Sequence, residues 1–83
     1  MAFFNDKFII PDTNGAMFNI NTENREQMKK VVTTLIQMPE IKKVIFNCDV
    51  HPHLMTVHSR KLLRVSIVLD EIKKAGFRAY QRV

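Results

Sequence analysis

Apolar residues in this chain change their spacing in a set order, and that order leaves few folds open. In AMFNI, residues 16 to 20, they alternate. Ala16, Phe18 and Ile20 face one way while Met17 and Asn19 face the other, the pattern of a strand with one buried side. NTENREQMKKVVTTLIQMP then sets Met28, Val31, Val32, Leu35 and Met38 three or four residues apart, an apolar stripe along a helix. Asn21 or Thr22 offers a capping oxygen, and Glu23 and Glu26 fall in the expected first turn, where negative charge suits the helix dipole. Pro39 ends the stretch, because its ring pushes Met38 out of helical geometry. Alternation returns in IKKVIFNCDV, with Val44, Phe46 and Cys48 on one inward face, and in LMTVHS, with Met55 and Val57. The link between them, VHPH around Pro52, is short enough for a hairpin. Val65, Val68, Leu69, Ile72 and Ala75 mark a second helix that Gly76 closes. Its start is either Ser59, capping a long helix, or a point near Arg64 after a loop. FRAYQRV supplies a last strand, Phe77 and Ala79 inward, Arg78, Tyr80 and Arg82 outward.

Strand, helix, strand, strand, helix, strand predicts an α+β chain of ferredoxin-like βαββαβ topology. In that fold a four-stranded antiparallel sheet carries two helices on one face. Residues 16–83 form this domain, and its 83-residue chain has material for one core. Residues 1–15 are an amino-terminal extension or extra strand, with KFII as the strand and PDTNG as the turn after it. No apolar run reaches the roughly 20 residues of a membrane-spanning helix. A lone cysteine forms no internal disulfide, which points to a reducing, cytoplasmic setting. Two glycines leave no phosphate-cradling loop, and there is no nucleophile elbow. Asp70 and Glu71 before Lys73 and Lys74 are accounted for by ion pairing on a helix surface. The expectation is a soluble domain that is not an enzyme.

Three local matches give the chain a likeness. LIQMPEIKKVIFN has Leu35, Met38, Pro39, Ile41, Val44 and Phe46 at set intervals; LMTV makes a third core strand; VLDEIKKAGFRA makes a closing helix and strand through Gly76. From Phe18 to Ala79 the chain thereby resembles the heavy-metal-associated domains, small copper- and zinc-handling modules. The resemblance implies the ferredoxin-like fold and a transition-metal cargo held by two cysteines, two residues apart, at the start of the first helix. Here those positions are Asn24 and Gln27, so the pair is degenerate. Thiolates grip Cu(I) and Zn(II) as soft anionic donors, and a neutral carboxamide does not replace them.

His51 and His53 are the candidate metal ligands that remain, because the fold brings this hairpin to the end where the cysteine pair would stand. Imidazole suits zinc, copper and nickel. The plainer alternative is that HPH is an exposed turn, with Cys48 packed inward and His58 well down the next strand.

Among partners, protein association ranks above nucleic acid. The outward positions Met17, Ile45, Leu54 and Tyr80 are apolar enough to need a cover. The segment FFNDKFII, with Phe3, Phe4, Phe8, Ile9 and Ile10, either crosses that face, adds an edge strand, drives a homodimer or packs within its own chain. Cations bring the net charge to +5, but they interrupt periodic stretches as solvated helix faces do. Nucleic-acid binding is not expected, since Met17, Asn19, Leu54, Thr56 and His58 include no ring for bases, and Tyr80 stands on an edge strand.

Overall fold

Phe18 sits at the centre of the molecule, fully enclosed, with Met55 opposite it on one neighbouring strand and Gln81 on the other. The computed structural model describes residues 7–82; Phe3, Phe4 and Val83 lie outside the described residues. The elements run β1 (Phe8–Ile9), β2 (Ala16–Ile20), α1 (Arg25–Ile36), β3 (Ile41–Asn47), β4 (His53–Ser59), β5 (Leu63–Arg64), α2 (Val65–Lys74) and β6 (Ala79–Gln81). Four of the strands make one antiparallel sheet in the order β3-β4-β2-β6, and β1 pairs with β5 in a separate two-stranded sheet. The chain is therefore α+β, with two helices and a four-stranded antiparallel sheet.

Alternation puts Ala16, Phe18 and Ile20 of β2 with Met55 and Val57 of β4 in the core, where they meet Val31 and Leu35 of α1 and Val68 and Ile72 of α2. Burying each large aliphatic or aromatic side chain contributes about 1.5–3 kcal/mol, so this cluster is the main favourable term. In β3, Ile41 and Val44 both turn inward although only two residues separate them. A register shift between Ile41 and Lys43 absorbs the odd residue and lets Ile41 join the inward face, while Lys43 stays outward, opposite His58.

The helix ends differ from the sequence expectations in instructive ways. α1 starts at Arg25 with Asn24 as its cap, not Asn21 or Thr22, and Glu23 lies before the helix. Asn21 instead extends the β2–β6 ladder, since its N–H donates to Arg78 O at 3.1 Å and its Oδ1 accepts from Arg78 N at 2.9 Å. α2 begins at Val65, the later of the two starts, and Ser59 closes β4 as a buried residue. No side chain caps α2; Lys7 O accepts the Val65 N–H at 2.9 Å, so the amino-terminal segment does that work. At the other end Gly76, with φ of 95°, lets Gly76 N donate to Lys73 O and Phe77 N to Ile72 O, the paired closure known as a Schellman motif. Phe77 is thereby tied to the helix, and the last strand is only Ala79–Gln81.

The amino-terminal segment does not lie over the uncovered face of the large sheet where it is described. β1 pairs with β5, Ile9 is buried in the core, and Ser59 Oγ donates to Ile9 O at 3.3 Å. Between β1 and β2 the chain turns at Gly15, whose φ is 76°. A Cβ there would stand 2.6 Å from Val57 O, a backbone atom that cannot step aside. Gly15→Ala is therefore expected to lower unfolding free energy by about 2 kcal/mol or more, adding steric clash to left-handed strain. Gly76→Ala meets open space and should cost only about 1 kcal/mol. Urea denaturation of both variants checks the ranking, and equal losses would contradict it.

Candidate functional site

Two regions hold the side chains with chemistry: the end of the molecule where α1 begins beside the β3–β4 loop, and the uncovered sheet face. At the first, Asn24 Oδ1 accepts the Gln27 N–H at 2.9 Å, and Gln27 Oε1 accepts the Glu23 N–H at 2.7 Å. The free amides of a helix start must find acceptors, and these two side chains meet that need almost reciprocally, as in a capping box. The pair the resemblance marks as degenerate metal positions thus has both its oxygens engaged by backbone.

The two histidines of the hairpin have opposite environments. His51 is exposed in the loop, whereas His53 opens β4 as a buried residue, only 4% exposed. His53 Nδ1 lies 3.0 Å from Thr22 Oγ1, itself buried; the direction of that hydrogen bond follows the imidazole tautomer. The ring centroids of His51 and His53 are 5.2 Å apart and tilted by 37°. For His53 the structure overturns the exposed-turn reading of HPH: the residue belongs to β4, shares the inward side of Met55 and Val57, and meets Thr22 across thirty-one residues.

Cys48 is exposed, not packed inward as its parity with Val44 and Phe46 predicts. β3 ends at Asn47, where the Asp49 N–H donates to Asn47 Oδ1 at 3.0 Å and bends the chain into the loop, so strand parity no longer applies. There the Cys48 thiol donates to Met28 Sδ of α1 at 3.2 Å, a pairing of two soft sulfur atoms twenty residues apart that spacing alone does not reveal. Among the described residues, no group of three or more His, Cys, Asp or Glu side chains converges as a metal site.

The second region follows from register. Ile45, Thr56 and Met17 lie side by side across β3, β4 and β2, as do Asn47, Leu54, Asn19 and Tyr80 through β6. Side chains paired across strands share a face, and this one points away from the core. Tyr80 is 69% exposed, Ile45 48% and Met17 45%, too open for core residues. Lys43 stands beyond Ile45, and Arg78 and Arg82 flank Tyr80 at two-residue intervals. Around the β6 edge a groove of about 290 Å³ runs to α2, lined by Leu69, Phe77 and Tyr80 with Asp70, Lys73 and Arg78.

No family model, curated protein or solved structure matches the chain. Among the described residues no helix is long and apolar enough to cross a membrane.

The two histidines should separate in a stability assay. His53→Ala opens a cavity and strands Thr22 Oγ1, costing about 2 kcal/mol or more. His51→Ala, at an exposed position, should move stability by less than about 0.5 kcal/mol. Thermal and urea unfolding check this, and equal effects would remove His53 from its interior role.

Proposed function

We propose that the chain is a non-enzymatic binding domain of ferredoxin-like fold and heavy-metal-associated descent, working through its uncovered sheet face. The sheet order β3-β4-β2-β6, with one helix between β2 and β3 and another between β4 and β6, supports that fold. One observation carries the function: the face opposite the helices leaves Met17, Ile45 and Tyr80 largely exposed beside Leu54, a contiguous patch on a sheet whose other side is closed. The inherited metal positions have turned to structure, since Asn24 and Gln27 satisfy amides that would otherwise lack acceptors at the start of α1. A photo-reactive residue at Ile45 in cells that express the chain should give a discrete adduct. The same residue at Ile36, equally exposed on α1, should give none. Absence of the Ile45 adduct, or equal yields from both sites, would contradict the function.

A second reading has its own observation, the sulfur contact between Cys48 and Met28. It keeps a transition-metal cargo at the hairpin end, with Cys48 and Met28 as a soft donor pair for Cu(I). Competition against a chromogenic Cu(I) chelator tests it. Cys48→Ser should weaken binding at least about tenfold, because an alcohol is a hard, neutral donor. Unchanged affinity in that variant would end this reading.

A further inference from the structure

The uncovered face has a charge pattern as well as an apolar one. Its strand positions are Met17 and Asn19 on β2, Lys43, Ile45 and Asn47 on β3, Leu54, Thr56 and His58 on β4 and Tyr80 on β6, with Arg78 just before and Arg82 just after that strand. None of these is Asp or Glu, although the chain has eight such residues. The chain's acids fall instead on loops, helices and the amino-terminal segment. Lys43 on one edge and Arg78 and Arg82 on the other thus enclose an apolar and amide-bearing middle. A second copy docked face to face would set cations against cations with no carboxylate in reply, so the pattern disfavours self-association over this surface.

A single-stranded nucleic acid answers both parts of the pattern. Its phosphates suit edge cations, and its bases have π-faces that stack on an exposed ring and edges that bond to amides. Tyr80, the most exposed large residue of the face, stands between two arginines. The groove behind it offers Leu69 and Phe77 as walls for a further base, Arg78 for its phosphate, and Asp70 to accept from an exocyclic amino group. A net charge of +5 and a sequence pI near 9.7 supply long-range attraction to such a strand. The face looked unsuited to bases from sequence because its central strands have no Phe, Tyr or Trp. The groove that extends Tyr80 around the edge was not visible there.

We propose that the uncovered sheet face and the groove along β6 bind single-stranded nucleic acid, with Tyr80 as the stacking platform and Lys43, Arg78 and Arg82 on the phosphates. This rests on the open-face function proposed above and names its partner. Fluorescence polarisation of the full chain with oligouridine and oligothymidine probes tests it. With three phosphate contacts, an about fourfold rise in salt should weaken binding about 20-fold; in Arg78→Gln with Arg82→Gln, one contact remains and the same rise costs about threefold. Tyr80→Ala should weaken binding about tenfold at fixed salt. Lys29→Gln with Lys61→Gln removes equal charge from exposed positions elsewhere and should keep the steep salt dependence. No binding of either probe at low salt would overturn the proposal. So would equal losses from the two charge pairs, or a Tyr80→Ala protein that binds as well as the parent, since each marks unspecific attraction to polyanions. The Ile45 adduct separates this inference from the function beneath it. Loss on nuclease treatment supports nucleic acid, whereas a nuclease-resistant adduct, with an acidic protein or a second copy, keeps the open-face function and overturns the inference.

Discussion

The pairing of β2 between β4 and β6 governs everything else in the molecule. Side chains alternate along a strand with period two, so fixing Phe18 opposite Met55 decides the face of every other residue in the sheet. A slip of β2 by one position would bring Met17 and Asn19 under the helices and push Phe18 and Ile20 into water. The burial of Phe18, Ile20, Met55 and Val57 opposes such a slip, each side chain contributing about 1.5–3 kcal/mol. The chemistry on offer follows from that choice. His53 goes inside to Thr22, while Lys43, Ile45 and Tyr80 go outside together.

At the start of α1 a second constraint acts on the same end of the molecule. A helix start must find acceptors for its amides, and here Asn24 takes the Gln27 N–H while Gln27 reaches back to the Glu23 N–H just before the cap. Thiols are poor caps, whereas carboxamides cap well and are weak ligands for a soft metal ion. The residues at these two positions thus serve local stability. The soft atoms at this end are Cys48 and Met28, brought together by the loop that ends β3.

Much of this architecture was legible from spacing. The stripe of Val31 and Leu35, the pair Val68 and Ile72, and the alternation around Phe18 each state their element without help from elsewhere, because helix and strand periods are local. Gly76 was equally plain, since a residue of positive φ after a helix favours glycine. Departures occurred where a distant contact decides a local choice. Asn21 was drawn into the ladder by Arg78, so the cap moved to Asn24. Cys48 left the strand pattern one residue beyond its end, and Ile41 turned inward through a register shift before Lys43. For the candidate site, sequence indicated His51, His53, Asn24 and Gln27 but not which were interior. It could not set Cys48 against Met28, nor gather the cations around Tyr80, because those arrangements depend on the whole fold.

The central claim is that one face of the β3-β4-β2-β6 sheet is closed by helices and the other stands open to a partner. Methyl NMR with a soluble paramagnetic relaxation agent, on the full chain alone in solution, tests it most directly. The account predicts strong relaxation at Met17, Ile45 and Leu54 and near-silence at Met55 and Val57, their neighbours on the other side of the same strands. Equal protection of both sets would mean that the chain covers this face itself, and would contradict the account.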